Sequence, residues 1–250
     1  MQTHGSSASL RNQERIAKMW PAFVDIEKRK KLEVPFILRN LHKPDPDVFD
    51  SCLGCGATTM GLRMAGVERV VSNEIDPEMR AVALSEAAKR GLELDVVSSD
   101  WRTLPPSFHG RFDLVTCLGN SLTYLFGHDE QMKALRGFLA LLSSDGILLI
   151  DERNYPRILE GRFSHSGDYV YCGIGRVACR PVHISDGLVV MEYELLGSGE
   201  RAYLDLYPFK RGELVALMTE AGFKDIRTYG DYKEQFDPRE TEFFTYAARR

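Results

Sequence analysis

The segment Asp50-Ser51-Cys52-Leu53-Gly54-Cys55-Gly56-Ala57-Thr58, followed by Glu74, holds the residue types of a nucleoside site. A strand that ends in a glycine-rich turn lets backbone approach a ligand at the carboxyl edge of a sheet. An acid roughly twenty residues later can then accept both ribose hydroxyls. A dinucleotide bound this way wants three glycines, because a helix N-terminus must cradle its pyrophosphate. Here Ala57-Thr58-Thr59-Met60 fills the turn and Gly61 comes too late. S-adenosyl-L-methionine (SAM) has no phosphate, and Asp50 at the head of the loop suits a cationic ligand. Taken alone, the loop also reads as a plain core turn.

Three more polar clusters follow strand-like runs. In Ser99-Asp100-Trp101 a carboxylate can accept the adenine amino group while the indole covers the ring. Leu118-Gly119-Asn120-Ser121 would face the reactive sulfonium. Asp151-Glu152-Arg153-Asn154-Tyr155 supplies an arginine that can clamp a carboxylate bidentately, or pair at the surface with Asp151 or Glu152. Each cluster has a bland reading as turn chemistry or an ion pair. Four of them at strand carboxyl ends point to ligand binding, because open α/β sheets bind ligands there. Cys52 and Cys55 form a C-x-x-C pair, but no second pair or H-x-x-x-H lies at finger spacing. They read as small pocket-wall residues, with no metal site expected.

The elements that must position these groups alternate. Val48 to Asp50, Val67 to Asn73, Asp95 to Ser98, Phe112 to Leu118 and Gly146 to Asp151 read as strands. Thr58 to Ala65, Pro77 to Arg90 and Asp129 to Leu142 read as helices. Such alternation requires right-handed crossovers and a mostly parallel, doubly wound sheet. Before it, Asn12 to Leu41 has helical spacing, with breaks expected near Pro21 and Pro35. After it, Tyr169 to Leu206 alternates as antiparallel strands, through Val170, Cys172 and Ile174 and a turn at Ser185-Asp186-Gly187. A helix from Gly212 to Ala221 and strands Lys224 to Tyr229 and Phe243 to Ala248 close the chain. The expected organisation is one domain: a helical arm (1–45), a SAM-binding core (46–160), an antiparallel lid (161–206) and a return to the core (207–250).

The 250 residues carry a net charge of −4, with 44% hydrophobic and 27% charged residues, an ordinary globular balance. There is no overall pull toward phosphate backbones, so no nucleic-acid partner is expected, and Lys28 to Lys31 reads as a solvated helix face. No apolar run approaches the roughly 20 residues that cross a bilayer, and Met1 to Ser9 has no signal-peptide core, so the expected compartment is the cytoplasm, with no membrane partner. Five cysteines are too few and scattered for a disulfide framework. Homo-oligomer formation is left open.

The blocks Cys117-Leu118-Gly119-Asn120-Ser121-Leu122 and Ile150-Asp151-Glu152-Arg153-Asn154-Tyr155 to Ile158-Leu159 resemble those of the glycine N-methyltransferases and the related glycine/sarcosine methyltransferases. The likeness extends over about residues 46 to 160, and more thinly to Leu206-Tyr207-Pro208 and Tyr229 to Lys233. It implies a Rossmann-like, seven-stranded methyltransferase sheet, mostly parallel with one antiparallel strand, that uses SAM and releases S-adenosyl-L-homocysteine. It also implies methylation of a small amine of the glycine, sarcosine or dimethylglycine type. Carried over by motif, Cys52, Glu74, Asp100, Trp101, Leu118 and Ser121 resemble cofactor contacts, joined by Asp50, Gly54, Gly56, Gly119 and Tyr124. Asn120, Arg153 and Tyr207 resemble the residues around the acceptor. Trp20 and one of Arg29 or Lys30 would hold the methionine end. Glu74 replaces the family's usual aspartate, Tyr124 stands where a histidine is expected, and the family's tyrosine-bearing N-terminal segment is not recognisable. Methylation of another small nucleophile, a non-catalytic SAM-binding module and a NAD-dependent oxidoreductase are the competing readings.

Overall fold

A computed structural model describes residues 7–41, 43–163 and 176–250. Two helices come first, α1 (Ser7–Phe23) and α2 (Ile26–Asn40). Both run through the prolines expected to break them. The break falls instead at Val24-Asp25, where the Asp25 carboxylate accepts a hydrogen bond from Lys28 N (2.9 Å) and starts α2. Pro35 sits between the buried Val34 and Phe36, and core packing of that face with Ile37 offsets the roughly 3 kcal/mol an interior proline costs.

The alternating region then forms β1 (Val48–Asp50), α3 (Ala57–Met64), β2 (Val70–Asn73), α4 (Pro77–Ala88), β3 (Asp95–Val97), β4 (Phe112–Cys117), α5 (His128–Leu141) and β5 (Leu142–Arg153). Helix α4 starts where the sequence signals it, with Asp76 accepting from Glu78 N and Met79 N and Pro77 in the first turn. Strand β5 extends past its expected end, so Glu152 and Arg153 belong to the strand. An unanticipated short helix, α6 (Tyr155–Leu159), follows it, capped by Asn154.

After α6 come β6 (Val177–Ser185), β7 (Leu188–Leu195), β8 (Glu200–Leu206), α7 (Glu213–Ala221), β9 (Lys224–Gly230) and β10 (Phe243–Arg249). The main sheet has seven strands in the order β3-β2-β1-β4-β5-β10-β9, with only β10 antiparallel to its neighbours. Strands β6, β7 and β8 form a separate antiparallel sheet with the expected turn at Ser185 to Gly187. Val170, Cys172 and Ile174 lie outside the described residues. The small sheet docks on α1: Asn12 and the Tyr203 backbone exchange two hydrogen bonds (2.8 and 2.9 Å), and Trp20 and Phe23 meet the Tyr193 ring.

Alternate residues of the main strands feed two cores. Val48, Leu114 and Leu149 face α1 to α4, and Phe49, Val115 and Leu148 face α5 and α7. The strand order reverses between β1 and β4, which opens a crevice at their carboxyl ends. Among the described residues no helix is long and apolar enough to cross a membrane.

Candidate active site

The loops after β1, β2, β3 and β4 enclose a cavity of about 430 Å³, faced by Asn12, Ile16 and Trp20 of α1 and Leu204 of β8. The loop after β1 turns tightly: Gly56 N donates to Leu53 O (2.8 Å), and Gly54 (φ 55) and Gly56 (φ 87) adopt left-handed backbone. Glycine enters that region without steric cost. The Glu74 carboxylate braces this turn, accepting from Gly54 N and Asp76 N, each at 2.9 Å. Each carboxylate oxygen retains a second acceptor direction, which fits a ribose diol. Burial raises the Glu74 pKa above the ordinary glutamate value.

On the next strand end, Asp100 caps the short turn Trp101–Thr103 and pairs with Arg102, which also donates to Glu130 (2.6 Å). The Arg102 guanidinium holds the Asp100 carboxyl below its usual pKa. Trp101 Nε1 donates to Ser51 O (2.7 Å), so the indole clamps the glycine loop. Asn73 ties three strand ends together, donating to Ser51 O and Ser99 O and accepting from Ser99 N. After β4, the Asp151 carboxylate accepts from Gly119 N (3.0 Å) and Asn120 N (2.6 Å), which fixes Asn120 in a left-handed conformation (φ 67).

Cys52 and Cys55 share this wall. A hydrogen bond with Cys117, together with burial, pushes the Cys52 thiol up, and burial pushes Cys55 up to about 11.

Beyond the cavity, Arg153 is buried at the end of β5 with its guanidinium 4.7 Å from the Phe243 ring centroid. Its backbone N donates to Asn120 Oδ1 (2.9 Å), and Asn120 Nδ2 donates to Tyr155 OH (2.8 Å). Tyr207 meets Phe126 and Phe209 edge-on, its hydroxyl donates to Glu213 (2.6 Å), and its backbone N donates to Thr123 O.

Residues 48–146 match the family model of a methyltransferase domain. The chain is 37% identical to a glycine/sarcosine N-methyltransferase of Halorhodospira halochloris over 92% of its own length and 85% of the relative's. The chain belongs to the glycine/sarcosine N-methyltransferase family. It is a SAM-dependent methyltransferase. A glycine/sarcosine/dimethylglycine N-methyltransferase of Actinopolyspora halophila is also 37% identical over 92% of this chain, which spans only 41% of that longer protein. In fold, the enzyme matches a SAM-dependent methyltransferase of Clostridium acetobutylicum with a TM-score of 0.68 at 19% identity, over 97% of this chain and 99% of the other.

Of the methyltransferase residues anticipated at the cofactor, Trp20, Cys52, Gly54, Glu74, Asp100, Trp101, Leu118, Gly119, Ser121 and Tyr124 line the cavity. Gly56 shapes the wall from behind, at the start of α3, where a Cβ would meet Met60 Cε at 3.1 Å. Asp50 departs from expectation. It is buried beneath the loop, accepting from Thr59 Oγ1 (2.6 Å) and Thr116 Oγ1 (3.1 Å), and does not line the cavity. Arg153 does not lie at the surface: it is buried against Phe243. The structure joins Asn120 to Arg153, and Tyr207 is linked to Asn120 through Thr123, whose Oγ1 donates to Asn120 O (2.6 Å). Asn73 and Leu204 escaped the sequence reading. A buried asparagine at a strand's last position is a signal that could have found Asn73, whereas Leu204 reaches the cavity only through docking of the small sheet.

Proposed function

We propose that this enzyme methylates the amine of a small amino acid of the glycine, sarcosine or dimethylglycine type. The acceptors in the names of the 37% identical relatives support that class. SAM supplies an electrophilic methyl on its sulfonium. The reading assigns the ribose hydroxyls to Glu74, the adenine amino group to Asp100, and the methionine end to Trp20 and Arg29. In-line methyl transfer needs little proton traffic, so positioning the amine lone pair is the main demand on the protein.

The observation that carries the acceptor class is Arg153. An arginine 7% exposed, with its guanidinium backed by an aromatic face and its backbone keyed to Asn120, is a preorganised fork for a carboxylate. Asn120 stands between Gly119 and Ser121 of the cavity wall, so the loop that holds the Arg153 backbone also faces the cavity.

Lysine at this position keeps the charge and loses the fork. Charge-assisted bonds contribute roughly 1.5 to 3 kcal/mol, so Arg153→Lys should raise the acceptor KM about tenfold or more and leave SAM affinity unchanged. Loss of SAM binding would place Arg153 in the cofactor site or the fold. Amines without a carboxylate turning over as fast as glycine would end the amino-acid reading.

A further inference from the structure

One side of the cavity is backed by a buried ionic cluster that the nucleoside contacts do not require. Arg29 and Glu33, one turn apart on α2, pair through Arg29 Nε (3.0 Å) and Nη2 onto Glu33 Oε2. Arg29 is 9% exposed and Glu33 1% exposed, so this is an interior pair. Thr58 Oγ1, in the first turn of α3, donates to Glu33 Oε1 (2.6 Å) and lies 2.9 Å from Arg29 Nη2. The pair is thereby fixed to the helix that follows the glycine loop.

A third tie comes from the far end of the chain. Tyr232 OH donates to Glu33 Oε2 (2.9 Å), and the Tyr232 ring packs on Phe36 with centroids 5.0 Å apart. Asp231 (φ 48) and Tyr232 (φ 64) are successive non-glycine residues in left-handed backbone. Such strain persists only where the surroundings over-determine it. Here the Asp231 carboxylate accepts from Phe243 N (3.0 Å) and Glu242 N (3.2 Å), and the outcome is a phenol aimed at a buried carboxylate.

Arg29 also lines the cavity. Among the described lining residues the cations are Arg29, paired with Glu33, and Arg102, paired with Asp100 and Glu130. Arg29 is the one that the proposed function gives to the anionic methionine end. A guanidinium on a flexible stem gives a defined fork only when its rotamer is held.

We propose that Glu33 and Tyr232 are positioning residues that hold Arg29 toward the α-carboxylate of SAM, which couples cofactor affinity to the Asp231-Tyr232 turn. The proposal rests on Arg29 being the partner of the methionine end. The test is calorimetric titration of the full chain with S-adenosylhomocysteine and with methylthioadenosine, which lacks the amino-acid end. The ratio of the two dissociation constants within one variant cancels any loss of folded protein. Tyr232→Phe, which keeps the ring, should weaken S-adenosylhomocysteine about five- to tenfold and leave methylthioadenosine unchanged. Glu33→Gln should act in the same direction, and Tyr232→Phe should add nothing once Arg29→Lys has removed the fork. A ratio untouched by Arg29→Lys overturns the reading of Arg29 itself. A ratio that collapses in Arg29→Lys and stays at the parent value in Tyr232→Phe overturns the positioning role alone. Equal weakening of both ligands in Tyr232→Phe makes the tyrosine structural and also overturns it.

Discussion

A carboxylate can serve a loop and a ligand at once, because each oxygen accepts in two directions. Glu74 uses one direction of each oxygen on Gly54 N and Asp76 N, and the others are available to the cavity. Glu74→Ala should therefore weaken SAM binding by at least about tenfold, since bonds to a charged acceptor contribute roughly 1.5 to 3 kcal/mol each. Burial raises the Glu74 pKa, and the ligand needs the ionised form. Affinity should fall as pH drops through that raised value, sooner than for an exposed glutamate, and Glu74→Gln should lose this pH dependence. Titration calorimetry across the acid range measures both effects, and an unchanged dissociation constant in Glu74→Ala removes the ribose assignment. Glu74 was legible because its distance from the glycine loop is a spacing in the chain. The place of Asp50 away from the cavity was not legible, because chain position cannot say whether a strand-end acid faces the cavity or lies beneath the loop. Thr59 from α3 and Thr116 from β4 decide that, and both are contacts made only by folding.

The elements that hold the site show the same limit. Strand-helix alternation predicted the five parallel strands β1 to β5; the central ones, β1 and β4, are buried on both faces and read as continuous apolar runs. Proline was over-read in α1 and α2, where packing outweighs one missing hydrogen bond. Gly137 makes a sharper case. It lies inside α5, where replacing glycine by alanine normally gains about 1 kcal/mol of helix stability. Here a Cβ would stand 2.7 Å from the Trp101 carbonyl oxygen and 3.4 Å from Leu104. The obstacle is backbone of the very turn that presents Asp100 and Trp101, so it cannot swing aside as a side chain would. Gly137→Ala should lower Tm despite its better propensity, and it should weaken SAM binding by displacing that turn. A raised Tm with unchanged affinity would mean that α5 and the turn are not in close apposition.

At the scale of the whole molecule, buried carboxyls set how stability changes with pH. Glu152 lies on the face of the sheet toward α5 and α7, 3% exposed, with Tyr246 OH of β10 donating to Oε1 (2.5 Å) and Oε2 without a partner among the described residues. Burial pushes its pKa up to about 8. The hydrogen bond from Tyr246 opposes that rise, and the charges of Glu213 on α7 and of Asp151 add to it. Between the unfolded value near 4.5 and about 8, the folded protein holds a proton that the unfolded chain has released, so stability falls as pH rises through this window. The steepest slope is ~1.4 kcal/mol per pH unit for one proton, and it vanishes above the folded pKa. Asp237 and Glu130, lowered by Arg239 and by Lys133 with Arg102, work in the opposite direction below about pH 4.5, but Asp237 is exposed and Glu130 only half-buried, so both contribute little. Glutamine mimics the protonated acid and does not titrate. The Tm advantage of Glu152→Gln over the parent, measured without ligand, should be near zero at pH 5, grow through pH 7 and level off above about pH 8. A difference that stays constant from pH 5 to 9 would mean that Glu152 is ionised in the folded protein throughout, and that water or a partner reaches Oε2.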